Sequence, residues 1–125
     1  MARISLLSGA DALKAVDDLH GKRIQAEAAV VARYARPGER PAELWVSRAA
    51  SATEARRQTG LMVHMMFDNP KSPFSDPGRL EHAGIPIYRF SGMGQVHLIW
   101  YRDDLAYWVS CNPDDASAFL KAVCR

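Results

Sequence analysis

The stretch Gln95–Cys111, "QVHLIWYRDDLAYWVSC", decides how this chain folds. Asp103-Asp104 interrupts two runs of β-branched and aromatic residues, the composition of two strands joined by a tight turn. With those two residues as the loop, Arg102 pairs with Leu105, Trp100 with Tyr107, and Val96 with Cys111. One face then collects Val96, Leu98 and Trp100 opposite Cys111, Val109 and Tyr107. The other collects His97 opposite Ser110, Ile99 opposite Trp108, and Tyr101 opposite Ala106. Side chains alternate with a period of two, so a slip of one residue would mix the sets and expose the first one. The first face reads as core. The second is mixed, as in a sheet with one partly solvated side.

The flanking residues extend the pattern. "IPIYRF" (Ile85–Phe90) reads as a preceding strand. A three-residue loop, Gly92-Met93-Gly94, would pair Phe90 with Val96 and Tyr88 with Leu98, whereas a two-residue loop would bring Arg89 onto the core face. The three-residue loop is therefore expected. After Cys111, "NPDDASAFLKAVCR" announces a helix. Asn112 is its cap, Pro113 its first position, Asp114 and Asp115 lie in its first turn, and Ala116, Phe119, Leu120 and Val123 form its apolar stripe.

Further upstream, "SGADALKAVDDLHGK" reads as a helix from Ser8 to Gly21. "QAEAAVVARYA" (Gln25–Ala35) and "AELWVSRA" (Ala42–Ala49) read as strands of a hairpin, with Leu44 and Val46 on one side and Trp45 on the other. "SATEARRQTGLMVHMMFDNP" opens with Ser51 and Glu54 in capping-box spacing, and its methionines recur on one helical face. A helix throughout is expected; the alternative is a short helix to Thr59 followed by a strand, because Gly60 weakens the middle. Residues 68–78, "DNPKSPFSDPG", read as a long loop. The expected architecture is a single α+β domain over residues 1–125. It would have an antiparallel sheet of about five strands and helices packed on one face.

Composition excludes several classes of function. No apolar run approaches a membrane span, and the N-terminus lacks the form of a signal peptide. The net charge is +2, and Glu39 and Glu43 interrupt Arg33, Arg36, Arg40 and Arg48, the nearest approach to a basic patch, so no nucleic-acid partner is expected. Cys111 and Cys124 form no C-x-x-C pair. They could bridge the last strand to the last helix in an oxidising compartment, or be two buried thiols in a reducing one.

The chemistry-bearing residues do not assemble into an enzyme. His97 and Cys111 fall on opposite faces of the hairpin, out of reach as a nucleophile–base pair. Asp103-Asp104 and Asp114-Asp115 stand where turns and helix starts favour aspartate for backbone reasons. No phosphate loop, nucleophile elbow or dinucleotide fingerprint is present. Two candidate sites remain. The mixed face of the hairpin, His97, Ile99, Tyr101 and Trp108, would be a protein-interaction patch if the chain leaves it open. The alternative is a small-ligand or metal site, for copper or haem, built on the soft donors Met62, His64 and Met66. No cofactor is required by the first reading.

The segment "GQVHLIWYRDDLAYWVSCNPDDASAFLKAV" resembles the C-terminal end of the extracytoplasmic sensor regions of transmembrane anti-sigma factors. That family closes with a strand ending in Trp, a polar turn, a Leu-x-Tyr-Trp-x-x-Ser strand and a capped helix. Val96, Trp100, Leu105, Tyr107, Trp108 and Ser110, with the helix from Pro113, occupy those positions here. The sequence contains neither the family's His-x-x-x-Cys-x-x-Cys motif nor its membrane span. The resemblance thus implies a non-enzymatic, periplasmic or extracytoplasmic sensor domain that responds to an envelope signal through contacts with another protein. A cytoplasmic location is the alternative.

Overall fold

A computed structural model describes residues 2–8, 28–35, 41–68 and 74–124. Its strands form one seven-stranded antiparallel sheet. In chain order they are β1 (Ala2–Ser8), β2 (Ala28–Ala35), β3 (Ala42–Arg48), β4 (Ser75–His82), β5 (Ile85–Gly92), β6 (Gln95–Arg102) and β7 (Leu105–Cys111). Helix α1 (Ala52–Asp68) joins β3 to β4. A single 3₁₀ turn (Pro113–Asp115) leads from β7 into α2 (Ala116–Val123). The spatial order is β1-β2-β3-β7-β6-β5-β4. The chain crosses on α1 to the far edge and meanders back until β7 closes against β3. The helix expected over Ser8–Gly21 lies outside the described residues, apart from Ser8, which ends β1.

The meander has a regular step. Its three turns, Ala83-Gly84, Met93-Gly94 and Asp103-Asp104, are all of two residues. Ala83 (φ 51°), Gly84 (79°), Met93 (55°), Gly94 (76°) and Asp103 (52°) take the left-handed backbone that lets such a turn follow the right-handed twist of its strands. β6 and β7 pair in the expected register, Val96 opposite Cys111 through Arg102 opposite Leu105.

Four expectations need correction. The sheet has seven strands, not about five, because β1 and β4 were not recognised. β4 also takes residues 75–78 out of the expected 68–78 loop; Pro77 and Gly78 are tolerated there because β4 is an edge strand, irregular between Ser75 and Gly78. The turn before β6 has two residues, so Phe90 pairs with His97, Tyr88 with Ile99, and Arg89 with Leu98. Lastly, the two described helices lie on opposite faces. Leu120 of α2 packs with Ile87, Leu98, Trp100 and Val109 on one side. Met62 and Met66 of α1 pack with Phe90, Ile99 and Trp108 on the other. A second apolar layer is what draws Phe90 and Tyr88 away from the first, and half-buried Arg89 is the consequence.

α1 is one helix through Gly60. Ser51 Oγ accepts from Glu54 N (3.0 Å), half of a capping box. The other half is absent, because the Glu54 carboxylate accepts from Arg57 and Gln58 instead. The Arg57 guanidinium holds the Glu54 carboxyl down to about 2. Trp100 and Tyr107 stack across strands, ring centroids 4.9 Å apart, in the layer beneath α2.

Ala83 is the least suited of the turn residues, since a left-handed backbone costs an alanine about 1–2 kcal/mol. Asparagine-glycine is a preferred pair for such a turn. Ala83→Asn should therefore raise stability by about 1 kcal/mol, and Gly84→Ala should lower it by a similar amount. Urea unfolding of the two variants would show midpoints moving in opposite directions.

Candidate functional site

His97 is the polar centre of the α1-side layer, 1% exposed. Its partners fix its chemical form. The Trp108 indole, which can only donate, places Nε1 3.2 Å from His97 Nδ1. Nδ1 is therefore an acceptor, and Nε2 carries the proton and donates to the Gly92 carbonyl (3.0 Å). The Ser110 hydroxyl, 3.0 Å from Nδ1, is a second donor to the same nitrogen. His97 is thus a neutral imidazole with both ring nitrogens engaged. Phe74 packs edge-on over it, with ring centroids 4.8 Å apart, and meets Trp108 at 5.8 Å.

Beside this cluster a half-open pocket of about 210 Å³ is lined by Glu43, Trp45, Phe74, Met93, Gln95, His97, Trp108 and Ser110. Six of those residues come from alternate positions of three adjacent strands, β3, β7 and β6, and so project from one face of the sheet. Phe74 and the Met93 turn form the rim. Trp45 and Trp108 are direct cross-strand partners. Trp45 Nε1 donates to Glu43 Oε2 (2.9 Å), and Arg33 Nε lies 3.8 Å from Glu43 Oε1. Gln95 Nε2 donates to the Pro41 carbonyl (3.0 Å).

The expected interaction patch is placed differently from the sequence reading. His97, Ile99 (0% exposed) and Trp108 (9%) lie beneath α1 and Phe74, covered by the chain itself. Tyr101 stays half-exposed at the far end of β6. The structure also separates the soft-donor set. Met62 and Met66 face the sheet as core, while His64 is on the exposed side of the helix, so the three do not converge on one point. No group of three or more His, Cys, Asp or Glu side chains able to hold a metal occurs among the described residues. Glu43, Trp45, Phe74, Gln95 and Ser110 were not singled out as site residues by sequence. The signal that was available is the placement of Trp45 on the side opposite Leu44 and Val46, which puts it on the face of Trp108 once β3 is paired with β7.

Both cysteines are free and buried in the α2-side layer. Cys111 lies near Asp115 at the start of the last helical segment, and Cys124 lies at its end, so they stand at opposite ends of it. Burial pushes the Cys111 thiol up to about 12, and the nearby Asp115 acts in the same direction. Such a thiol is not a nucleophile at neutral pH.

No helix among the described residues is long and apolar enough to cross a membrane. No protein-family model matches the chain, and comparison with curated proteins and with solved structures returns no match.

Three outcomes follow from this chemistry. His97→Leu removes the acceptor of the Trp108 indole and the donor to Gly92 while keeping an apolar volume, and should cost about 2–3 kcal/mol in urea unfolding. Met62→Leu, a volume-conserving change in the same layer, should cost under about 1.5 kcal/mol. Alkali should destabilise the fold through Cys111. Its thiol ionises at 9.0 when unperturbed and at about 12 in the fold. Between those values the unfolded chain has lost a proton that the folded chain keeps, so stability falls as pH rises. Cys111→Ala should flatten that fall, read as the urea midpoint against pH.

Proposed function

We propose that the chain is a non-enzymatic sensor domain that works through protein contacts, as the extracytoplasmic, periplasmic part of an anti-sigma-type transcription regulator. The observation that carries this reading is the double position of Trp108. It lines the pocket and packs beneath Met62 and Met66 of α1. Anything that shifts its indole on filling the pocket moves the bed on which α1 rests. Phe67, 63% exposed, stands on that helix beside Met66 and offers a partner an apolar contact. The pocket wall also suits recognition: its histidine is fixed by the Trp108 indole and the Ser110 hydroxyl on one ring nitrogen and by the Gly92 carbonyl on the other. The resemblance of Gly94–Val123 to anti-sigma sensor regions supplies the class of partner, a regulatory or envelope protein. That segment forms two central strands of the sheet and its terminal helix.

Transcript profiling of a strain lacking the gene tests the reading. The expected result is altered expression of one promoter class, restored by the intact gene and less well by a copy carrying Phe67→Asp. A transcriptome indistinguishable from the parent strain's overturns it.

A further inference from the structure

Strand β4 is one edge of the sheet, and its free side carries a pattern that fits itself. The Ala83-Gly84 turn has two residues with left-handed backbone, so the pair that flanks it, His82 and Ile85, exchanges both ladder hydrogen bonds. Along an antiparallel pair, hydrogen-bonded and non-hydrogen-bonded positions alternate. Leu80 opposite Ile87 and Gly78 opposite Arg89 are therefore bonded pairs, while Arg79 opposite Tyr88 and Glu81 opposite Pro86 are not. The backbone N–H and C=O groups of Arg79 and Glu81 thus point away from β5, toward the open edge. Both side chains are exposed, and neither makes an ion pair among the described residues.

Such an edge takes up another strand, and charge selects which one. Two identical strands joined antiparallel about a two-fold axis must centre on a single residue. Centring on Arg79 sets that residue against its own copy, and centring on Glu81 does the same for the glutamate; like charges directly opposite are destabilising. A centre on Gly78 or His82 runs into Pro77, which has no N–H, or into the Ala83-Gly84 turn. Centring on Leu80 sets each Arg79 against Glu81 of the second copy, on both sides of the axis. Leu80 then meets Leu80 on the α2 side, where it already borders the core. His82 of the second copy stands opposite Gly78, over which the space is open. This register uses Gly78–His82, the regular part of β4, and stops short of the irregular start that blunts the rest of the edge. Arg79 lies over the Tyr88 ring, 5.9 Å from its centroid. That contact uses the face of the guanidinium and leaves its N–H edge for a carboxylate.

We propose that β4 is a homodimerisation edge, at which two copies join Gly78–His82 antiparallel about Leu80 into one continuous sheet with reciprocal Arg79–Glu81 ion pairs. The strands of the pocket, β3, β7 and β6, are separated from this junction by β5. The inference goes beyond the sensor reading and does not depend on it.

Sedimentation velocity of the purified chain, over a concentration series taken to the limit of solubility at low salt, is the test. A monomer–dimer equilibrium is expected, weakened by added salt. Arg79→Glu and Glu81→Arg each set like charges against one another at both pairs, and each should raise the dimer Kd about tenfold or more. Both residues are exposed, so far-UV circular dichroism of the variants should match that of the parent chain, which separates lost pairing from lost folding. Arg79→Glu combined with Glu81→Arg in one chain should restore the dimer. Mixing the two single variants should give a heterodimer at concentrations where each alone is monomeric, because one copy then has acids and the other bases at both positions. A monomer throughout the series overturns the proposal. So does a dimer indifferent to Arg79→Glu, which puts the contact on another surface, or a combined variant that fails to restore association.

Discussion

Strand β6 is buried on both of its faces from Gln95 to Trp100, and the rest of the architecture follows from that constraint. Val96, Leu98 and Trp100 point one way while His97 and Ile99 point the other, so neither side of the sheet centre can be left to water. One helix cannot cover both. α2 covers the first face immediately after β7, a short connection that needs only the Asn112-Pro113 corner. α1 covers the second, and its place between β3 and β4 obliges the chain to start its meander at the distant edge. The meander then returns in two-residue turns, and β7 arrives beside β3. The crossing helix and the closing strand are thus two consequences of one doubly buried strand.

Much of the sheet centre was legible in the sequence because aromatic and aliphatic side chains alternate there with little ambiguity. The register of β6 on β7 followed from Trp100, Tyr107 and Asp103-Asp104, and the β2–β3 hairpin from the short loop that the two strands flank. The edges were not legible. β4 opens with "SDPG", the end of the expected loop, and is a strand because β5 offers it a ladder. The loop before β6 was misjudged for a related reason. Choosing three residues over two assumed a single apolar face, and Arg89 looked unacceptable on it. With two apolar layers, Phe90 and Tyr88 gain more beneath α1 than Arg89 loses at half-burial. The site was legible only in part, since Trp108 and His97 were singled out, but Glu43 and Trp45 enter the pocket through long-range pairing of β3 with β7.

A histidine in the α1-side layer is costly unless its ring nitrogens are paired, and the way they are paired sets the character of the pocket. Carbonyl oxygen on one nitrogen and indole N–H on the other leave no choice of tautomer. They also draw the donors of Trp108 and Ser110 inward, toward His97. Glu43 does the same to Trp45, and Pro41 to Gln95. Each of these bonds pairs a wall donor with an acceptor supplied by the fold, so the polar groups of the wall are held in place by the protein itself. The polar node and the pocket wall are thus built from the same side chains. Trp108 joins the two, as the donor that fixes His97 and as the ring shared between the pocket and α1.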